Sequence, residues 1–253
     1  MGNEIWHLTD DFNKLPARDV LKNILRDDRK NYDRAELELA EDIELMDDAI
    51  TLYIESLQAA FRLIHEWKSN ICNQAAIAMV VSTLNYILLA RYGILLGYYP
   101  EVRDLLRGCY ERLSRCCVFF VDDKAARRFL SGEQIKQAEV DRELSRLESL
   151  DKSNEVLKSL RAYYGFLSES IHPNLKSFEA RYGEKDLAEK VGLQCVFGGL
   201  MSSKLGHVCI VRTVQTVLST LRILGIMIHD ESGGWVKEYQ QISRRCDEMV
   251  NSL

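Results

Sequence analysis

Only 3 prolines and 14 glycines punctuate 253 residues, too few for the frequent turns of an all-β chain. No CxxC pair and no paired Cys/His spacing occurs. The seven cysteines, Cys72, Cys109, Cys116, Cys117, Cys195, Cys209 and Cys246, therefore read as small buried hydrophobes of a reducing compartment, with no metal site expected. The phosphate-cradling patterns GxGxxG and GxxxxGK[ST] are missing, as are GxSxG and HExxH. No cofactor is implied. The stretch "MGNEIWHLTDDF" lacks the basic-then-apolar pattern of a secretory leader, and Trp6 stands where a myristoylation signal needs Ser or Thr. The most membrane-like run, Ala75 to Ala90, is short of the ~20 residues that span a bilayer, contains Asn85 and meets Arg91 at once. A cytoplasmic protein without a membrane partner is the expectation.

What is present is helical. Apolar residues make up 47% of the chain and charged residues 28%, the mix of a folded soluble globule. The net charge of −5 is uneven: Asp27 to Asp48 holds ten acidic residues against Arg29, Lys30 and Arg34. An acidic balance argues against non-specific nucleic-acid binding while leaving room for a local basic face.

Residues 1–31 read as a charged extension with one short helix, Pro16 to Arg26, the proline suited to a first turn. Residues 32–253 read as one helical-bundle domain. Its first long helix is expected from Asp33 to Lys68, with Leu39, Ile43, Met46, Ile50, Tyr53, Ile54, Leu57, Phe61 and Ile64 as the core stripe. Ile71 to Leu96 is apolar all round, which predicts a helix at the centre of the bundle. Pro100 opens the next, running to Val121 on the stripe Val102, Leu106, Cys109, Leu113, Cys116 and Phe120. A short helix "KAARRFL", a charged peripheral helix from Glu133 to Leu150, and a helix from Ser153 to a stop at Pro173 follow. A last long apolar helix is expected from Leu187 to His229, with Gly198, Gly199 and Gly206 inside it, then a terminal helix from Trp235 to Asn251. No strand-like alternation competes. The fold class is all-α: a multi-helix bundle of about seven to nine helices, with long antiparallel core helices.

One helix carries a candidate site. With Arg161 at the origin and about 100° per residue, Ser168 falls near −20° and His172 near +20°. The three share one ridge beside the stripe Leu157, Leu160, Tyr164, Leu167 and Ile171. A ridge of Arg, Ser and His can pair a proton carrier with an anion clamp. Equally, Ser168 and His172 can hydrogen-bond neighbouring helices where Pro173 ends the rod. Arg107 and Glu111, spaced i, i+4, read either as a surface ion pair or as part of an inter-helix network. Glu169 and His172 supply one Glu-x-x-His pair, but a di-metal bundle needs two, and no other histidine has a glutamate three residues before it. His207 reads as a satisfied core residue. The basic residues Arg103, Arg107, Arg112, Arg115, Lys124, Arg127 and Arg128 outnumber four acids in the same stretch but point several ways, a solvated surface before an RNA track.

"GYYPEVRDLLRGCYERLSRCCVFFVDDKAARRFL" followed by "YYGFLSESIHPNL" resembles a widespread prokaryotic family of helical proteins of unknown function. That family pairs an Arg-x-x-x-Glu helix with a later Y-x-x-LS-x-x-x-HP helix, matched here by Arg107 and Glu111, then by Tyr164, Leu167, Ser168, His172 and Pro173. The resemblance covers roughly residues 75 to 180, and it implies a helical bundle without an established reaction. Some such proteins are similar to the HEPN class, which includes metal-independent ribonucleases using an arginine and a histidine four to six residues apart on one helix. Here those positions hold Ser168, Leu167 and Phe166, and the nearest upstream arginine is Arg161.

Two functions follow as expectations. The first is a helical interaction or regulatory module, of the kind found in bacterial defence or stress systems, that self-associates or holds a protein partner. The alternative is a HEPN-like ribonuclease or nucleotide-binding protein. His172 would be its acid/base, Arg161 or Arg107 would sit on phosphate, and Ser168 or Asn174 would position the substrate.

Overall fold

A computed structural model describes residues 16–63, 70–150, 202–228 and 234–251 of the chain. Among them are eight helices and no strand: α1 (Ala17–Glu38), α2 (Ala40–Arg62), α3 (Ile71–Leu96), α4 (Tyr99–Phe119), α5 (Asp123–Leu130), α6 (Gln137–Leu150), α7 (Ser203–Ile228) and α8 (Gly234–Asn251). The all-α bundle read from the sequence is the observed architecture.

The caps explain several boundaries. Asn70 accepts from the Asn73 amide at 3.0 Å and opens α3. Gly97, at φ 81°, closes it, with Tyr98 N–H donating to Gly93 O at 2.8 Å and Gly97 N–H to Ile94 O at 3.1 Å. This left-handed stop satisfies two terminal carbonyls, and Pro100 then sits in the first turn of α4. Asp122 accepts from the Lys124 and Ala125 amides and starts α5. The Ser202 hydroxyl accepts from Leu205 N–H at 3.3 Å and marks the start of α7. The helix expected from Leu187 is thus capped at Ser202; Gly198 and Gly199 lie outside the described residues.

The first half of the chain departs from expectation. The helix that starts after Pro16 does not end near Arg26 but runs on to Glu38, across the proposed boundary at residue 31. The break falls at Leu39 (φ −121°, ψ 22°), inside what reads as one long helix. No glycine or proline causes it. Leu39 N–H still reaches Ala35 O at 2.9 Å and its own carbonyl still accepts from Ile43 at 2.8 Å, so both backbone groups of Leu39 stay paired through the bend. Packing dictates it instead. The second half of α1 lies on the Gly97 end of α3, where Asn31 donates to Leu96 O and Tyr98 to Asp28. Meanwhile α2 lies along α7, and the chain must change direction between two partners. Leu39, 4% exposed, fills the corner over Gly206, where a Cβ would stand 2.5 Å from its Cδ1.

Registers follow from side-chain bonds. Helix α2 is antiparallel to α3 through Asp47–Arg91 and Tyr53–Val80 O. It is parallel to α7 through Glu38–Ser203 and Asp42–His207 on either side of Leu39. Helices α3 and α4 form an antiparallel hairpin, as do α7 and α8, while α1 and α2 both run antiparallel to α3 and α7 runs parallel to α2 and α4. The main core gathers Met46, Tyr53, Ile87, Ile94, Leu106, Tyr110, Leu113, Ile210 and Leu224. A second cluster under α5 and α6 holds Val118, Phe119, Ala126, Ile135, Val140 and Leu144, with Phe119 stacked on Phe129 at 5.2 Å. By length and composition α3 and Ser203–Gly225 of α7 are long and apolar enough to cross a membrane; a third of the α3 window and two-thirds of the α7 window are buried in the fold.

Candidate functional site

The ridge of Arg161, Ser168 and His172 lies outside the described residues, as do Tyr164 and Asn174. Arg107 and Glu111 are described. Arg107 Nε donates to Glu111 Oε1 at 3.2 Å, and their side chains are 25% and 28% exposed. The pair is therefore neither a free surface pair nor a buried one. Its neighbours on α4 show what the arginines of this helix do. Arg112 lies 3.8 Å over the Tyr86 ring and donates to Ser82 Oγ and Gly108 O. Arg115 donates to Glu111 O and, across to the segment before α6, to Ile135 O. Arg128 pairs with Glu133 and Glu139. Arg112 thus ties α4 to α3, Arg115 ties it to the segment before α6, and Arg128 ties α5 to α6, each spending donors on the protein itself.

His207 is satisfied, as expected. Its Nδ1 lies 2.5 Å from Asp42 Oδ2 and its Nε2 3.4 Å from Met249 O, tying α7 to α2 and α8. Among the described residues no group of three or more His, Cys, Asp or Glu could hold a metal ion. Six described cysteines are free thiols, four of them buried. The half-buried Cys72 donates to Asp123 Oδ1 at 3.1 Å; burial first, and then that carboxylate, pushes its thiol up to about 11. It is no nucleophile at neutral pH.

The feature that the sequence reading missed is an apolar surface. Helix α3 was expected at the bundle centre, yet its outward side carries Leu88, Leu89 and Tyr92 at 37%, 55% and 60% exposure, with the half-buried Val81 and Leu84 beside them. Two members of the expected α2 stripe, Ile54 and Phe61, are also exposed, at 37% and 46%. The antiparallel register fixes how these sets lie along the two helices. Tyr53 donates to Val80 O at 2.6 Å and Arg91 clamps Asp47 with two bonds of 2.6 and 2.7 Å. By that register Ile54 is level with residues 79–84 of α3 and Phe61 with residues 72–77, whereas Leu88, Leu89 and Tyr92 lie level with the Arg91–Asp47 pair and the start of α2. Helices α2 and α3 approach each other at few points because α7 packs against both. Both helices thus present exposed apolar side chains, while part of the acidic edge of α2 turns the other way: Asp48 pairs with Arg245 and lines, with Glu55, a cleft against α8. Helix α3 has no charged residue before Arg91. The signal was available: an apolar helix with no polar side needs cover on every side, and a stripe containing both Tyr53 and Ile54 spans more arc than one neighbour covers.

No family model, curated protein or solved structure matches the chain.

Proposed function

We propose that the chain is a cytosolic helical interaction module that docks a partner through the exposed apolar sides of α2 and α3. One observation supports it above the rest: five large apolar residues on two adjacent helices, Ile54, Phe61, Leu88, Leu89 and Tyr92, face outward over a sealed core. Scattered exposed leucines are ordinary, whereas a contiguous apolar patch rimmed by polar residues is the mark of a binding surface. Such a surface suits an amphipathic helix, which lays i, i+3, i+4 anchors on apolar side chains.

A fluorescent leucine–lysine model helix provides the test, with binding read by anisotropy. Glutamate at two exposed positions, Ile54→Glu with Leu88→Glu, places charge on the apolar side of each helix while touching no fully buried residue. Affinity should fall at least tenfold, because each charge must be desolvated. Equal binding by both proteins, or none by either, would sink the reading.

A further inference from the structure

We infer that His207 is a proton-gated latch: its imidazolium, and not the neutral ring, holds the end of α8 onto α7 and α2. This latch is independent of the exposed apolar sides of α2 and α3.

Both ring nitrogens face acceptors. In the second turn of α7, His207 Nδ1 lies 2.5 Å from Asp42 Oδ2 and Nε2 lies 3.4 Å from Met249 O. One partner is a carboxylate and the other a backbone carbonyl. A neutral imidazole has a single N–H, so it serves one of them and turns a lone pair on the other. The imidazolium donates to both. The carboxylate adds a second reason. The His207 and Asp42 side chains are 20% and 19% exposed, and among the described residues no lysine or arginine pairs with Asp42. A carboxylate withdrawn this far from water needs a counter-charge, and the ring is placed to supply it.

The other charges around the site are engaged or turned away. On α1, Arg34 pairs with Glu38, which also takes the Ser203 hydroxyl. On α3, Arg91 clamps Asp47. On α8, Arg245 stands one turn before Met249 and pairs with Asp48. Burial pushes the neighbouring Cys246 thiol up to about 11, so it carries no charge at neutral pH. On α4, Arg103 faces Cys209, which lies about 200° round α7 from His207. Glu41, Lys204, Asp247 and Glu248, on the adjoining turns, are exposed.

Proton binding and docking are therefore linked. The docked ring faces two acceptors and the undocked ring faces water, so docking favours the proton and the proton favours docking. Histidine is the side chain that changes charge between about pH 5 and 8. The latch is closed at the acid end of that interval and lets go as pH rises through it. The start of α8 keeps its own contacts, Trp235 against Gly225 and Tyr239 on Arg222. Release is thus confined to the turns around Met249.

Hydrogen exchange of the full chain, read by mass spectrometry and corrected for the intrinsic rate at each pH, provides the test. Protection of residues 242–251 should fall at least fivefold between pH 6 and pH 8.5, while that of α4 stays constant. His207→Gln keeps a donor of similar reach but cannot titrate, and should give the same protection at both pH values. Side-chain nitrogen shifts of the wild-type ring, assigned by NMR through the backbone, should show both nitrogens protonated at pH 6. Equal or rising protection of 242–251 at the higher pH overturns the proposal, as does a pH dependence that survives His207→Gln. So does a neutral ring at pH 6 beside a protected α8 end, a reading on the wild type that stands even where the variant fails to fold.

Discussion

Gly206 offers a substitution whose sign is decided by two opposed effects. It sits in the first turn of α7, a helical position at which alanine is intrinsically better by about 1 kcal/mol. Propensity alone therefore predicts that Gly206→Ala stabilises. The structure says otherwise. A Cβ built there stands 2.5 Å from Leu39 Cδ1 and 3.2 Å from the Tyr99 hydroxyl, which itself accepts from the Ser202 amide at 3.2 Å. Leu39 is 4% exposed and fixes the corner between α1 and α2, so its methyl group has little room to retreat. Overpacking of this kind costs about 1–3 kcal/mol. The balance is a loss of roughly 1 kcal/mol, which in a chain of this size lowers the melting temperature by a few degrees.

The cause can be separated from a general effect of mutation by a double-mutant cycle. Leu39→Ala alone removes a buried leucine and should cost about 2–5 kcal/mol. Combined with Gly206→Ala, the new methyl group meets the space left by Leu39 instead of its side chain. The overpacking then disappears and the propensity gain returns. The two changes should therefore cost less together than their sum, by at least about 1 kcal/mol, which is within the range that contacting residues show. Urea unfolding followed by circular dichroism measures all four corners. A rise in stability on Gly206→Ala alone, or strict additivity in the cycle, would refute the claim that Leu39 over Gly206 sets the α1–α2 corner.

Two further expectations concern titration and reactivity. Hydrogen bonds from Arg34 and then Ser203 hold the Glu38 carboxyl below the usual carboxylate range; the unfolded state binds the proton more readily, so this stability is complete at neutral pH and is lost as pH falls through the folded value. Glu38→Gln should accordingly flatten the acid limb of the stability–pH curve while leaving the alkaline limb alone, and an unchanged acid limb would count against the Arg34–Glu38–Ser203 link. Cys72, with its thiol near 11, should be alkylated at pH 8 roughly a hundredfold more slowly than a free model thiol. Asp123→Asn should recover part of that rate, burial retaining the rest; peptide mass spectrometry after iodoacetamide reads both, and an ordinary rate at Cys72 in the native protein would contradict the Cys72–Asp123 contact.

The residue pattern revealed elements better than it revealed directions. Ile71–Leu96 was legible to the residue because Asn70 and Gly97 are local stop signs whose meaning does not depend on tertiary structure. The corner at Leu39 was not, because nothing local marks it: a buried leucine bends the chain only once α3 and α7 are in place to pull α1 and α2 apart. The same blindness explains α3. Hydropathy reports that a surface avoids water, not whether the cover comes from the same chain, so an all-apolar helix at the wall of a bundle looks identical to one at its centre. Leu88, Leu89 and Tyr92 would be wasted on a helix that evolved only to fill a core, and on its own such a surface invites aggregation. Together with Ile54 and Phe61 on α2, they leave among the described residues an excess of exposed apolar side chains that the fold's own core does not explain.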